Sequence, residues 1–179
     1  MFDSGRAHSY TRTVETWILE VFLESVRQVL REMEVPVDSA VEGEAPGMAD
    51  GIIATVGFTG DLRGVFTLHA DLPSAGRLLH AMTGGVTLTL QDAQADGMRM
   101  EAFGELSNQI SGRAMTLFYD RKIRCDITPP AIFSGRELRS PGFGPEKSTS
   151  RFIQGPFGRL ALFLGLQEQE SGAHREKTS

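Results

Sequence analysis

GELSNQISG, residues 104 to 112, lies inside the segment from about Gln91 to Tyr119, and the architecture turns on whether that segment is a helix. It is a costly way to write one. A glycine in a helix interior weakens it by up to ~1 kcal/mol relative to alanine, and asparagine is a weak helix former. The surrounding apolar residues nevertheless predict a helix. With successive residues set about 100° apart, Phe103, Leu106, Ile110, Ala114 and Leu117 form one stripe, suited to pack on a sheet. Glu101, Glu105, Asn108 and Gly112 form a second stripe, roughly opposite the first, so a carboxylate and an amide stand one turn apart on the exposed side.

Polar residues on the outer face of a helix usually do no more than meet solvent. An exposed position could, however, have taken Glu, Lys or Gln at lower cost than Asn. Glycine also strips away side-chain bulk and lets another backbone or molecule come close. Packing of Gly104 or Gly112 against an internal neighbour would explain the glycines equally well. Spacing alone leaves these readings side by side.

Outward from this helix, the pattern predicts an α+β domain. Val14, Trp17, Ile18, Val21, Phe22, Val26, Val29, Leu30 and Met33 recur at helical spacing, and Pro36 follows them. Ile52–Phe58 and Val65–Ala70 read as strands joined by TGDLRG, and Leu72–Met82 as a short helix ended by Gly84 and Gly85. After the second long helix come a strand over Lys122–Ile127, a break at Pro129 and Pro130, and a loop rich in Gly, Ser and Arg. Strands near Arg151–Gln154 and Arg159–Leu166 complete the series. Short glycine-containing turns between consecutive strands favour an antiparallel-rich sheet, with two long helices and one short helix packed on it. Residues 38–50 read as a mobile acidic loop, 1–12 as a flexible N-terminal tail, 13–167 as the domain, and 168–179 as a flexible polar tail.

Composition narrows the function. The chain has 179 residues, 40% hydrophobic and 23% charged, with a net charge of −5. That balance suits one globular domain and argues against a nucleic-acid binder, for which a basic stripe would be expected. One cysteine, Cys125, excludes an intrachain disulfide framework. The N-terminus lacks the apolar core of a secretory signal, and no apolar run reaches the ~18 residues of a membrane span. The expected location is the cytoplasm. His8, His69, His80 and His174 are scattered, without metal-ligand spacing. AMTGG and GFTGDLRG match neither a phosphate-binding nor a dinucleotide-binding loop, so turn chemistry explains their glycines. Cys125 reads as a strand residue without an adjacent base, Trp17 as core, and SGREL (134–138) as a solvated loop or a support beneath the second helix.

Taken together and in order, VGFTGDLRGVFTL, AMTGG, GELSNQISG and DITPPAIFSGREL resemble the CheC/CheX chemotaxis phosphatases, and more closely the single-motif CheX branch. The resemblance runs from the first helix to about residue 166. The family pattern is a helical Glu with an Asn three residues on, an Asp or Ser four before the Glu, and a proline some twenty residues after the Asn. Glu105 and Asn108 match, Pro129 or Pro130 fills the proline position, and Glu101 departs from the Asp or Ser. The first helix has Arg27 where a second site would need Asn after Glu24, so the chain offers one site.

The resemblance implies hydrolysis of the phosphoaspartate of a CheY-like response regulator. In that role Asn108 positions the attacking water and Glu105 docks to the receiver's phosphate-contacting lysine. Glu101, Gly104, Ser107 and Gly112 would form the partner-binding surface. It further implies no cofactor of the protein's own, Mg²⁺ held in the partner's receiver domain, and a homodimer. The alternative is a non-catalytic module that binds a receiver, or only itself, through the same helix.

Overall fold

The computed structural model describes residues 4–42, 50–85, 93–136, 138 and 148–167. Three helices lie on one face of an antiparallel sheet: α1 (Ser4–Glu32), α2 (Leu72–Met82) and α3 (Ala93–Asp120). The strands are β1 (Ser39–Glu42), β2 (Asp50–Gly60), β3 (Gly64–Asp71), β4 (Cys125–Ile127), β5 (Ala131–Arg136), β6 (Ser148–Gly155) and β7 (Gly158–Leu166). Their order is β1-β6-β7-β3-β2-β4, with β5 also on β2. The seven strands thus occupy six positions, because β4 pairs with Phe58–Gly60 and β5 with Asp50–Thr55 along the same edge of β2. Every pairing is antiparallel, in line with the α+β expectation.

Alternation along the strands decides which side chains meet the helices. Ile52, Ala54 and Phe58 of β2, Phe66 and Leu68 of β3, and Leu160, Leu162 and Leu164 of β7 join the same buried core as the apolar residues of α1 and α3. Phe22 of α1 is its centre, stacked on Phe66 at 4.2 Å and edge-on to Phe118 of α3 at 5.8 Å. Trp17, expected in the core, is half-buried and packs its ring 5.9 Å from Phe118. At α2, Asp71 caps the first turn by accepting from the Ser74 N–H at 2.6 Å, with a proline at the start of the helix.

Four expectations need correction. Helix α1 begins at Ser4, within the segment 1–12 expected to be a loose tail. A helix once nucleated extends at the cost of one residue's freedom per added hydrogen bond, and needs no apolar stripe to do so. Part of the acidic loop 38–50 is strand β1, which pairs Ser39 with Gln154 and Glu42 with Arg151. Four residues have no detectable period, and only the edge of β6 supplies their partners. The Gly-, Ser- and Arg-containing stretch after the prolines, including Ser134, Gly135 and Arg136 of SGREL, is strand β5. Finally, the strand expected from Lys122 starts at Cys125, because Lys122 N–H bonds Tyr119 O and Ile123 N–H bonds Phe118 O to close α3. The polar tail expected over 168–179 lies outside the described residues.

The proline pair sits where β2 changes partner. Thr128 N–H donates to Gly57 O at 2.9 Å, and its hydroxyl accepts from Gly57 N–H at 2.9 Å. Pro129 and Pro130 then cannot donate to a ladder, so pairing stops and resumes at Ala131.

Candidate functional site

Helix α3 is held from beneath. Phe103, Leu106, Ile110, Ala114 and Phe118 are 0–3% exposed and belong to the core. Leu117, expected in that stripe, is only half-buried, and Phe118 takes the inward place. Laterally, Arg113 Nη2 donates to both Glu32 oxygens at 2.6 and 2.8 Å, which ties α3 to the end of α1. A helix anchored along its whole length presents its outer residues from a rigid base.

On that outer side stand Glu101, Glu105, Asn108 and Gly112, all exposed. They lie on the face the 100° spacing predicts. Glu105 is partnered: Gln109 Nε2 donates to its Oε1 at 2.8 Å. Gln109 was missed in the sequence, although a Gln one turn after a Glu is a recognised helix-surface pair. The bond restrains the carboxylate beside Asn108 and leaves its second oxygen to accept from a cation. Asn108 has no hydrogen-bond partner among the described residues, so its amide oxygen and NH₂ both remain available.

Gly104 and Ser107 do not belong to this surface. Both are buried. A Cβ on Gly104 would come within 3.3 Å of Ile132 Cδ1, so glycine there lets strand β5 pass close under the helix. Ser107 is 0% exposed and its hydroxyl has no hydrogen-bond partner among the described residues. Both lie around the helix from the outer stripe, on the side turned into the protein. Gly112 behaves in the opposite way, with no described residue within 4 Å of an added Cβ. Ile132 is the supporting residue that sequence patterns could not reveal, since β5 itself carried no clear strand signal.

Elsewhere the chemistry is structural. His69, on β3, is 2% exposed, and burial lowers its pKa to about 4 against the opposing effect of Asp71. It is neutral at ordinary pH. Burial also raises the Cys125 thiol, whose Sγ donates to Leu62 O at 3.7 Å, so it is no thiolate nucleophile. Among the described residues no three His, Cys, Asp or Glu side chains cluster as a metal site, and no helix is long and apolar enough to cross a membrane.

The chain is similar to known proteins in both sequence and fold. The sequence profile of the chemotaxis phosphatase CheX family matches residues 52–149, which include β5 and all of α3. The CheY-P phosphatase CheX of Thermotoga maritima is 34% identical over 94 residues, covering 52% of this chain and 57% of that protein. The match therefore spans little more than half the length of that relative. Among solved structures, CheX of Borrelia burgdorferi, crystallised with CheY, BeF₃ and Mg²⁺, superposes with a TM-score of 0.70 at 20% identity. That superposition covers 84% of this chain and 97% of the other. CheX of Vibrio vulnificus gives 0.68 at 18% identity, over 84% and 96% of the two chains. The sequence match across more than half of the chain, over a fold that these structures share, means that this chain belongs to the chemotaxis phosphatase CheX family.

Proposed function

We propose that this protein hydrolyses the phosphoaspartate of a CheY-like response regulator, with Asn108 holding the attacking water and Glu105 docking the helix to the receiver. The observation that carries this reading is the exposed Glu105–Asn108 pair, one turn apart at the middle of a helix whose opposite face is buried. The relative named as a CheY-P phosphatase supports the reaction, and the CheX structure solved with CheY supports the partner.

The chemistry asks little of the enzyme. Water oxygen forms a bond to phosphorus, the bond from phosphorus to the aspartyl oxygen breaks, and the carboxylate departs with the electron pair. A proton from the water passes to the phosphate product or to solvent. A carboxylate leaves without help from a general acid, so the barrier falls chiefly through positioning and charge neutralisation. Mg²⁺ bound in the receiver supplies the second of these.

Asn108 supplies the first. Its carbonyl oxygen accepts from the water while its NH₂ donates to a phosphoryl oxygen, which fixes the water in line. An amide does not take the proton, and this reaction does not need it to. Glu105 offers a charge-assisted bond to a lysine beside the phosphate, with Gln109 restraining it. Glu101, one turn earlier and exposed, adds negative charge to the same surface and favours a receiver that is basic there. Two copies pairing through a sheet edge, with β1 and the β4/β5 side as the outer strands, complete the proposal together with a cytoplasmic setting.

The test is Mg²⁺-dependent decay of phosphorylated CheY-type receivers from the same genome, with and without the protein. Wild type accelerates decay and Asn108→Ala does not. Acceleration by both proteins moves the site elsewhere. Binding without acceleration by wild type leaves a receiver-binding module.

A further inference from the structure

The outer face of α3 does not end at Asn108. Among the described residues three large hydrophobic side chains are exposed: Met98, Phe133 and Tyr119, at 38%, 52% and 64%. Phe133 belongs to β5, where it alternates with Ile132, so it lies on the side of the sheet away from the helices. Met98 and Tyr119 both belong to α3. By helical geometry Met98 lies ~80° around the axis from Asn108, but Tyr119 only ~20°. Tyr119 therefore continues the Asn108 stripe at the far end of the helix.

Between Asn108 and Tyr119 the same stripe carries Gly112 and the half-buried Met115, with Thr116 beside them. Gly112 presents bare backbone, with no described residue within 4 Å of where a Cβ would stand. Thr116 turns its hydroxyl back to Gly112 O at 3.2 Å, so its polar atom is already engaged. The exposed stripe thus has the Asn108 amide at one end and an aromatic ring at the other, with Met115, packed against the core, between them. Glycine there serves no internal packing and costs helix stability, and an exposed tyrosine leaves a large apolar surface in water. One occupant lying along the stripe accounts for both.

We infer that Tyr119 is a second anchor for the receiver, gripping an apolar patch of the same partner whose phosphoryl group faces Asn108. This rests on the function proposed above. The span fits. From residue 108 to 119 the helix advances ~16 Å, and a standard interface of about 800 Å² per partner is a patch of ~16 Å radius. A receiver docked with its phosphate site over Asn108 reaches Tyr119 without any second binding event. Glu101 and Glu105 make the opposite end of the surface acidic, so a receiver with its lysine toward Glu105 is held in one orientation along the helix. Tyrosine suits the task, since it brings large contact area with few rotatable bonds.

The experiment measures binding of a CheY-type receiver from the same genome, saturated with Mg²⁺ and beryllofluoride, together with steady-state hydrolysis of the phosphorylated form. Tyr119→Ala is expected to weaken binding and raise KM about tenfold, with kcat changed by less than about twofold. Tyr119→Phe, which keeps the ring, restores both. Gly112→Leu raises a bulky side chain on the stripe and weakens binding by a similar factor, and its melting temperature reports that the fold is intact. Unchanged Kd and KM for Tyr119→Ala, beside inactive but tightly binding Asn108→Ala, overturn the anchor and leave the phosphatase standing. Weakened binding for Tyr119→Ala, beside fully active Asn108→Ala, supports the anchor and overturns the role of Asn108. A wild-type protein that binds no receiver overturns both.

Discussion

Gly104 and Gly112 bracket the same segment of α3 and have opposite surroundings. Gly104 is buried, with Ile132 of β5 within 3.3 Å of any added Cβ; Gly112 is exposed and open. The same contrast holds for their neighbours. Ser107 is wholly buried, and the adjacent Asn108 is exposed. One side of the helix is thus shaped by its own sheet, and the other by nothing among the described residues. Residue type does not distinguish the two sides, and position around the helix does. The small residue on the inner side admits a strand, whereas the one on the outer side stands open.

The sharpest way to break this contrast is to compare adjacent turns. Asn108→Ala should lower receiver dephosphorylation by a hundredfold or more, a loss of ~3 kcal/mol in transition-state stabilisation, with the melting temperature unchanged. Leu106→Ala should do the reverse. Its side chain is 0% exposed, so it should cost about 3 kcal/mol of stability in chemical denaturation, while protein that remains folded keeps its turnover. If Asn108→Ala proves as destabilising as Leu106→Ala, the outer face is a structural one.

Next in size is Ser107→Leu. A side chain forced into a closed position should cost ~2 kcal/mol, seen as a lower denaturation midpoint. Lost receiver binding at unchanged stability would return Ser107 to the docking surface.

The glycine pair itself gives a smaller effect. Gly112→Ala should raise stability by ~1 kcal/mol, or about 2–4 °C in melting temperature, because the helix gains and no neighbour objects. Gly104→Ala should gain less or lose, because Ile132 must give way. Equal gains would erase the distinction. Smallest is Glu32→Gln, which removes a largely exposed ion pair with Arg113 and should cost ~0.5 kcal/mol at low salt.

Much of this protein was legible in its residues. The apolar repeats of α1 and α3, the β2–β3 hairpin, α2 and the β6–β7 strands follow local periodicity, which depends on which side of an element faces water. The outer stripe of Glu101, Glu105, Asn108 and Gly112 could be read for the same reason, since helical geometry is set by the chain itself. Strands β1 and β5 could not. Each is a short, mixed run that forms only because β6 or β2 offers an unpaired edge, and that offer comes from residues distant in sequence. The role of Gly104 stayed hidden with β5, because the atom that requires it, Ile132 Cδ1, reaches it only after the sheet has formed. Sequence by itself determined which face of α3 looks outward and which residue types stand on it. Only the tertiary structure decided which small residues serve packing and which stand open, because that depends on what lies across the gap.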